Sequence, residues 1–398
     1  MRTDTQPSES HAVSAVCAAV NRNRLLDTAI RLIAKPSPTG SAGEVSDELA
    51  AILIEDGFCV ERVAAGHIAA PAVVVRYSSG RAGRTLQFNG HLDTVHLPFV
   101  PPKVIGERLT GSGSADMKGG IAAAVEALRA IRDVKGISGG AILLTAHDLH
   151  EAPWGDGSQL DGLLAEGYVG DAALLPEYFN SALPVIGRGG FTWAATIRRP
   201  GPPVHEVYRP NEPSVIGVGA KLVAKLEQLD AKLAMRPDPL AGAASAFIGT
   251  IQSGSIYNEY PQTCRLEGTR RWLPGTRFAD VDREFRELCH GLAQDTITTI
   301  DVETHLMRDA FLLDTSDPFI GIFQSAYATM MGEQLPIGGK PFVDDGNSFF
   351  SRAGVPAITH GPTAGGAHTT AEWVNIDDLV RVARLYALIA TMYCSHTT

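Results

Sequence analysis

Residues 147–157 read HDLHEAPWGDG and directly follow the apolar run AILLTA of residues 141–146. His147, Asp148, His150, Glu151 and Asp156 supply imidazoles and carboxylates. Those groups bind borderline and hard divalent cations and move protons near neutral pH. Four other stretches have the same character. In GHLDTV, residues 90–95, His91 and Asp93 are two apart and face the same way in extended backbone. A metal-binding histidine commonly needs an acceptor such as a carboxylate to fix its tautomer. GSGSADMKGG, residues 111–120, presents Asp116 from glycine-rich backbone just before a helix. It is not a phosphate loop, because Lys118 is not followed by Ser or Thr. LLPEYF places Glu177 after a strand, and HGPTAGGAHTTAEWV carries His360, His368 and Glu372. A capping or buried polar residue would explain each stretch alone. Five of them, each at a strand end in the presumed α/β domain, are much harder to explain that way.

The elements around these stretches predict what positions them. NRNRLLDTAIRLIAK and EVSDELAAILIEDGF have apolar residues at helical spacing, ended by proline or glycine. AAPAVVVRYS, TLQFNG and AILLTA read as strands, and GGIAAAVEALRAIRDV reads as a helix. Strands alternating with helices predict a mostly parallel α/β sheet, whose ligands sit beyond the carboxyl ends of the strands. From about residue 187 the pattern becomes strand, helix, strand, strand, helix, strand, which is the ferredoxin-like α+β order. The α/β pattern returns after about residue 311.

The length of 398 residues suggests two domains. A formal net charge of −10 argues against non-specific nucleic-acid binding. Cys17, Cys59, Cys264, Cys289 and Cys394 are scattered, without a CxxC pair. Neither a disulfide framework nor a thiolate zinc site is expected, which suits a reducing compartment. No run approaches the roughly 18 apolar residues of a membrane span, and the first ten residues lack the features of a signal peptide. The protein is read as cytoplasmic.

The order GHLDTV, GSGSADMKGG, His-Glu, Pro-Glu, GPTAGGAHTTAEW resembles the M20 metallopeptidase family. That family includes glutamate carboxypeptidase, aminoacylase, succinyl-diaminopimelate desuccinylase and acetylornithine deacetylase. The resemblance covers nearly the whole chain. It implies a zinc-peptidase-like catalytic domain of residues 1–186 and 311–398. It also implies an inserted lid of residues 187–310 that joins a homodimer or larger homo-oligomer. By the same resemblance His91 binds one metal and Asp93 orients it. Asp116 bridges two metals, Glu177 is a further ligand to the first, and Glu151 and His368 bind the second. Imidazole and carboxylate suit two divalent ions of zinc, manganese or cobalt.

Most of the family carries two adjacent glutamates where this chain has His150-Glu151. The first is the general base and the second a metal ligand. His150 therefore takes the base position. As alternatives it hydrogen-bonds a metal-bound water or is itself a ligand. Aligning the dyad on 148–150 instead would lose the glutamate ligand. His147 and Asp148 are read as supporting or structural residues, and Asp156 as a loop or capping residue. In the lid, GPPVHE resembles a family stretch whose histidine reaches the reacting carbonyl, often in the partner's active site. His205 fits that role, or is a surface-loop histidine. Asn258 and Arg271 fit substrate-binding positions, with Arg270 the alternative, since only one can face inward on a strand. In KPFVDDGNSF, Asp344, Asp345 and Asn347 line a substrate loop or are solvated.

The implied activity is cleavage of an amide C–N bond by metal-bound hydroxide, in a small substrate such as an N-acyl amino acid or dipeptide. Hydrolytic deamination of an activated aromatic amine, or ligand binding without turnover, are the alternatives. No nucleic-acid or membrane partner is expected.

Overall fold

The computed structural model describes residues 9–153 and 155–395. Residues 1–8, which belong to the stretch read for a signal peptide, lie outside the described residues. Two compact units emerge. The first comprises Met1–Val185, Leu313–Gly338 and Asp344–Thr398, and the second Ile186–Leu312 with Gly339–Val343.

The first unit contains strands β1 (Val60–Val63), β2 (Ala72–Ser78), β3 (Thr85–His91), β4 (Ala141–His147) and β5 (Ala172–Leu175). With Ala357–Thr359 they form a six-stranded sheet in the order β1, β2, β4, β3, β5, Ala357–Thr359. The first two pairings are antiparallel and the last three parallel. This is the mostly parallel sheet expected from the alternating pattern. β4 is buried along its whole length, and β3 from Leu86 onward, so both read as near-continuous apolar runs. The parallel register sets His91 directly beside His147. The GHLDTV and HDLHE stretches are thus adjacent because their strands are adjacent.

Helix α1 spans Lys118–Val134, and every residue from 118 to 131 is buried. Its opening glycines are required by close approach. A Cβ on Gly120 would come within 1.9 Å of the Pro176 carbonyl oxygen, and one on Gly119 within 2.4 Å of the Ser114 oxygen. The Gly-Gly pair therefore lets the helix start lie against the turn that carries Glu177. The helix Ile376–Ser395 packs along α1.

The second unit is built on strands β6 (Gly189–Arg198), β7 (Ser245–Ser253), β8 (Thr263–Trp272) and β9 (Thr299–Arg308). They pair antiparallel in the order β7, β8, β6, β9. Helices α2 (Val215–Ala234) and α3 (Phe278–Thr296) cover one face. Phe191, Trp193, Ala195 and Ile197 alternate along β6, and Val215, Val218, Leu222 and Leu226 repeat at helical spacing along α2. The two periodicities meet in one core, which gives the ferredoxin-like arrangement.

Candidate metal centre

The first unit gathers His91, Asp93, Asp116, His150, Glu151, Glu177 and His368 beyond the carboxyl ends of β3, β4 and β5. His91 Nε2 lies 3.2 Å from Asp116 Oδ1 and 3.6 Å from Glu177 Oε1. His368 Nε2 lies 3.3 Å from Asp116 Oδ2 and 3.2 Å from Glu151. Asp116 therefore faces one imidazole with each oxygen. Ligand atoms of His91, Asp116 and Glu151 all fall within 4.8 Å of one another, as do those of His91, His150 and Glu177.

Asp93 does two jobs at the strand end. Its main-chain oxygen accepts from His91 Nδ1 at 3.0 Å, with its carboxylate at 3.6 Å. A neutral His91 holding its proton on Nδ1 would present the Nε2 lone pair on the side of Asp116 and Glu177. The expected carboxylate contact is thus mainly a main-chain one. The Asp93 carboxylate instead accepts the backbone N–H groups of His150 and Glu151, at 3.1 and 2.8 Å, and holds the dyad in place. Leu149, just before the dyad, and His368 both adopt left-handed backbone, with φ of 66° and 59°. Such costly conformations in non-glycine residues gather at functional sites.

Glu372, quoted in the sequence but given no role there, is buried under the Asp116 loop. It accepts backbone N–H groups from Gly113, Ala115 and Asp116 at 2.8–2.9 Å. Asp148 serves a neighbouring loop, accepting from the N–H groups of Gly40 and Ala42 and meeting His67. Asp156 accepts from the Ser158 N–H at a helix start.

His150 stacks on His91 with ring centroids 4.0 Å apart. Its Nδ1 lies 2.8 Å from Asp345 Oδ1 and its Nε2 4.0 Å from Glu177. His147 Nε2 lies 2.9 Å from the other oxygen of Asp345. Asp344, Asp345 and Asn347 are all buried. The solvated-loop alternative therefore gives way to a structural one, in which Asp345 joins the two histidines of the HDLHE stretch. His360 lies apart, fully buried among Phe323, Tyr327 and Tyr386, and neither ring nitrogen has a hydrogen-bond partner among the described residues.

The electrostatics are those of crowded carboxylates. Burial and the neighbouring Asp116 raise the Glu177 carboxyl to about 7, against the pull of His91. The same two causes raise Glu151. Hydrogen bonds to Asp116 and Glu151 lift His368 to about 10. Burial opposes charge on His91, but Asp116, Asp93 and Glu177 prevail and raise it well above 6.5. The ion-pair partners of Asp116, Glu151 and Glu177 are histidines, which are neutral when they bind metal. Buried carboxylates facing imidazoles fit divalent cations, which would supply the missing positive charge.

In the second unit His205 is exposed, and its Nε2 lies 3.0 Å from the Asn258 amide. Arg270 is buried and pairs with Glu284 of α3 at 3.0 Å. Arg271 points to the opposite face of β8, half-buried, and its Nη1 has no hydrogen-bond partner among the described residues. Burial, with Arg188 nearby, lowers its pKa.

The family model of peptidase family M20/M25/M40 matches residues 87–392, which contain every residue of this centre. The chain belongs to this family. It is a metallohydrolase acting on amide C–N bonds. As an M20 protein it resembles a succinyl-diaminopimelate desuccinylase of Methylorubrum populi, 25% identical over 92% of this chain and 97% of that one. A tripeptidase from Staphylococcus aureus shares the fold with a TM-score of 0.78 at 21% identity, covering 94% of this chain and 99% of that one. A dinuclear metal binding M20 peptidase from Bacillus subtilis has a TM-score of 0.68 at 15% identity, over 94% and 99% of the two chains. No helix among the described residues is long and apolar enough to cross a membrane.

Proposed function

We propose that this M20 hydrolase holds two divalent ions of zinc, manganese or cobalt and cleaves the amide bond of an N-acyl amino acid or dipeptide in the cytoplasm. The gathering of three buried carboxylates with His91 and His368 carries the reading. His91, Asp116 and Glu177 would hold one ion, and Asp116, Glu151 and His368 the other. A pair of ions sharing a carboxylate polarises a carbonyl and acidifies water. Asp93 fixes His91 and the backbone of 150–151. His150 occupies the proton-transfer position with its Nε2 toward Glu177. His205 donates to the oxygen that becomes negative as the carbonyl is attacked, and Asn258 binds a substrate polar group. Arg271 binds a carboxylate, since its partner-free guanidinium nitrogen is aimed away from Glu284. The second unit joins a homodimer through which His205 serves the partner's site.

Elemental analysis and a hydrolysis screen test this reading. The wild-type protein should carry two ions per chain, and Asp116→Ala should lose both. N-succinyl and N-acetyl amino acids and dipeptides should release acyl group and amine. Equal metal content in the two proteins would sink the bridging role. Metal-dependent ammonia release from aryl amines, with no amide hydrolysis, would replace amidase activity by deamination.

A further inference from the structure

A chain of buried polar groups runs beneath the centre, and its directions can be read from the donors. It starts at the main-chain N–H of Gly170, which donates to Gln87 Oε1 at 2.8 Å. That fixes the Gln87 amide, whose Nε2 donates to Thr145 Oγ1 at 2.8 Å. The Thr145 hydroxyl, already accepting, donates onward to Asn89 Oδ1 at 2.8 Å. The Asn89 amide is thereby oriented too, and its Nδ2 donates to Asp345 Oδ2 at 2.9 Å. The His147 ring approaches the same Oδ2 through Nε2, while its Nδ1 lies 3.0 Å from the Asp148 main-chain oxygen. Asp345 Oδ1 faces His150 Nδ1. Asp344 anchors the short turn that carries Asp345, accepting from the Gly346 N–H and the Thr359 hydroxyl.

We infer that Asp345 is a positioning residue: held by this directional relay, it sets His150 as the Nδ1–H tautomer and aims the lone pair of Nε2 at the Glu177 side of the centre. A glutamate in the dyad's first position would need no such partner, because a carboxylate has no tautomer to choose. An imidazole there needs an acceptor on its far nitrogen. Asp345 supplies it from a segment remote in sequence. The inference rests on the reading of His150 as the proton-transfer residue, and it adds what makes that residue competent.

The test is the tautomer itself, read by long-range ¹H–¹⁵N correlation on zinc-loaded protein with ¹⁵N-labelled histidine. His150 is assigned by its loss in His150→Gln. Wild type should show the proton on Nδ1 and none on Nε2. His147 Nε2 also reaches Oδ2 and lies 3.4 Å from Asn89 Nδ2, so both variants are made and compared in a His147→Leu background. In Asp345→Asn the Asn89 donor then requires an acceptor at the old Oδ2 position. The new amide therefore turns its NH₂ to His150, and the proton should move to Nε2. Removing that donor in the double variant Asn89→Ala, Asp345→Asn should let the amide turn round and restore the Nδ1–H form. A merely structural Asp345 predicts no such return. Metal content should stay unchanged in both variants, while kcat of Asp345→Asn falls about 10²–10⁴-fold with KM little moved. An Nε2–H signal in wild type overturns the inference, even if no variant folds. So does an unmoved proton in a folded Asp345→Asn. A moved proton with unchanged kcat would leave the positioning intact and remove His150 from proton transfer. A wild-type protein that cleaves no amide would overturn the proposed function, with the tautomer still readable.

Discussion

Replacing His360 with leucine isolates one buried imidazole from the rest of the protein. The ring is fully buried among Phe323, Tyr327 and Tyr386, and neither of its nitrogens has a hydrogen-bond partner among the described residues. Burial, with Arg381 nearby and Asp378 in partial opposition, lowers its pKa to about 3. In the unfolded chain it returns to about 6.5. Between these values the unfolded state binds a proton that the folded state refuses. Stability conferred by the neutral ring is therefore complete above pH ~6.5 and is lost as pH falls toward 3. At about 1.4 kcal/mol per pH unit, the loss is roughly 2 kcal/mol at pH 5 and at most about 5 kcal/mol below pH 3. Leucine does not titrate and abandons no hydrogen bond, so near pH 7.5 the exchange should change stability by less than about 1.5 kcal/mol. Urea unfolding followed by circular dichroism at the two pH values gives the difference between variant and wild type. Groups at the metal centre titrate alike in both proteins and cancel. The leucine variant should gain about 2 kcal/mol on wild type between pH 7.5 and pH 5. A pH-independent difference would refute a neutral, partner-free His360.

Three further outcomes bear on the centre and on substrate. Glu372→Gln turns an amide NH₂ toward one of the three backbone N–H groups it now accepts, so the Asp116 loop loosens. Metal affinity by competitive chelation should fall about 10–100-fold, and an unchanged affinity would mean that Glu372 does not support the ligand. Arg271→Ala should raise KM for substrates with a free carboxylate about 10–100-fold, the worth of a charge-assisted hydrogen bond. The same change for a carboxylate-free amide would argue for a loss of fold instead. Mixed dimers of His205→Ala and Asp116→Ala chains should recover up to one working site. No recovery in demonstrably mixed dimers would confine His205 to its own subunit.

Much of the architecture was legible because it is written in local periodicity. The apolar runs of β3 and β4 mark buried parallel strands, and the alternation along β6 with the helical repeat of α2 marks the second core. The ligand-type residues could be collected because chemistry at a parallel sheet gathers at one end of it. The same local signal misleads where burial alone decides. His360 and His368 stand in one glycine-rich stretch, yet one is enclosed by aromatic rings and the other faces Asp116 and Glu151. Alternation on β8 required that Arg270 and Arg271 face opposite ways, and the ion pair with Glu284 turns Arg270 toward α3.

The contacts around His150 are ones that no spacing encodes. Asp345 meets His150 across 195 positions of sequence. Gln87, Asn89 and Thr145 look like polar blemishes in two apolar strands until the register aligns them. Their cost explains their arrangement. A buried amide or hydroxyl left unpaired is expensive, and here each donor finds an acceptor, so the chain of polar groups is both tolerated and directional. A chain that only stabilised the sheet could end on any acceptor. This one ends on a carboxylate shared by the two histidines of HDLHE, His147 and His150. On the reading proposed for His150, the buried acceptor at its far nitrogen is what an imidazole needs and a carboxylate does not.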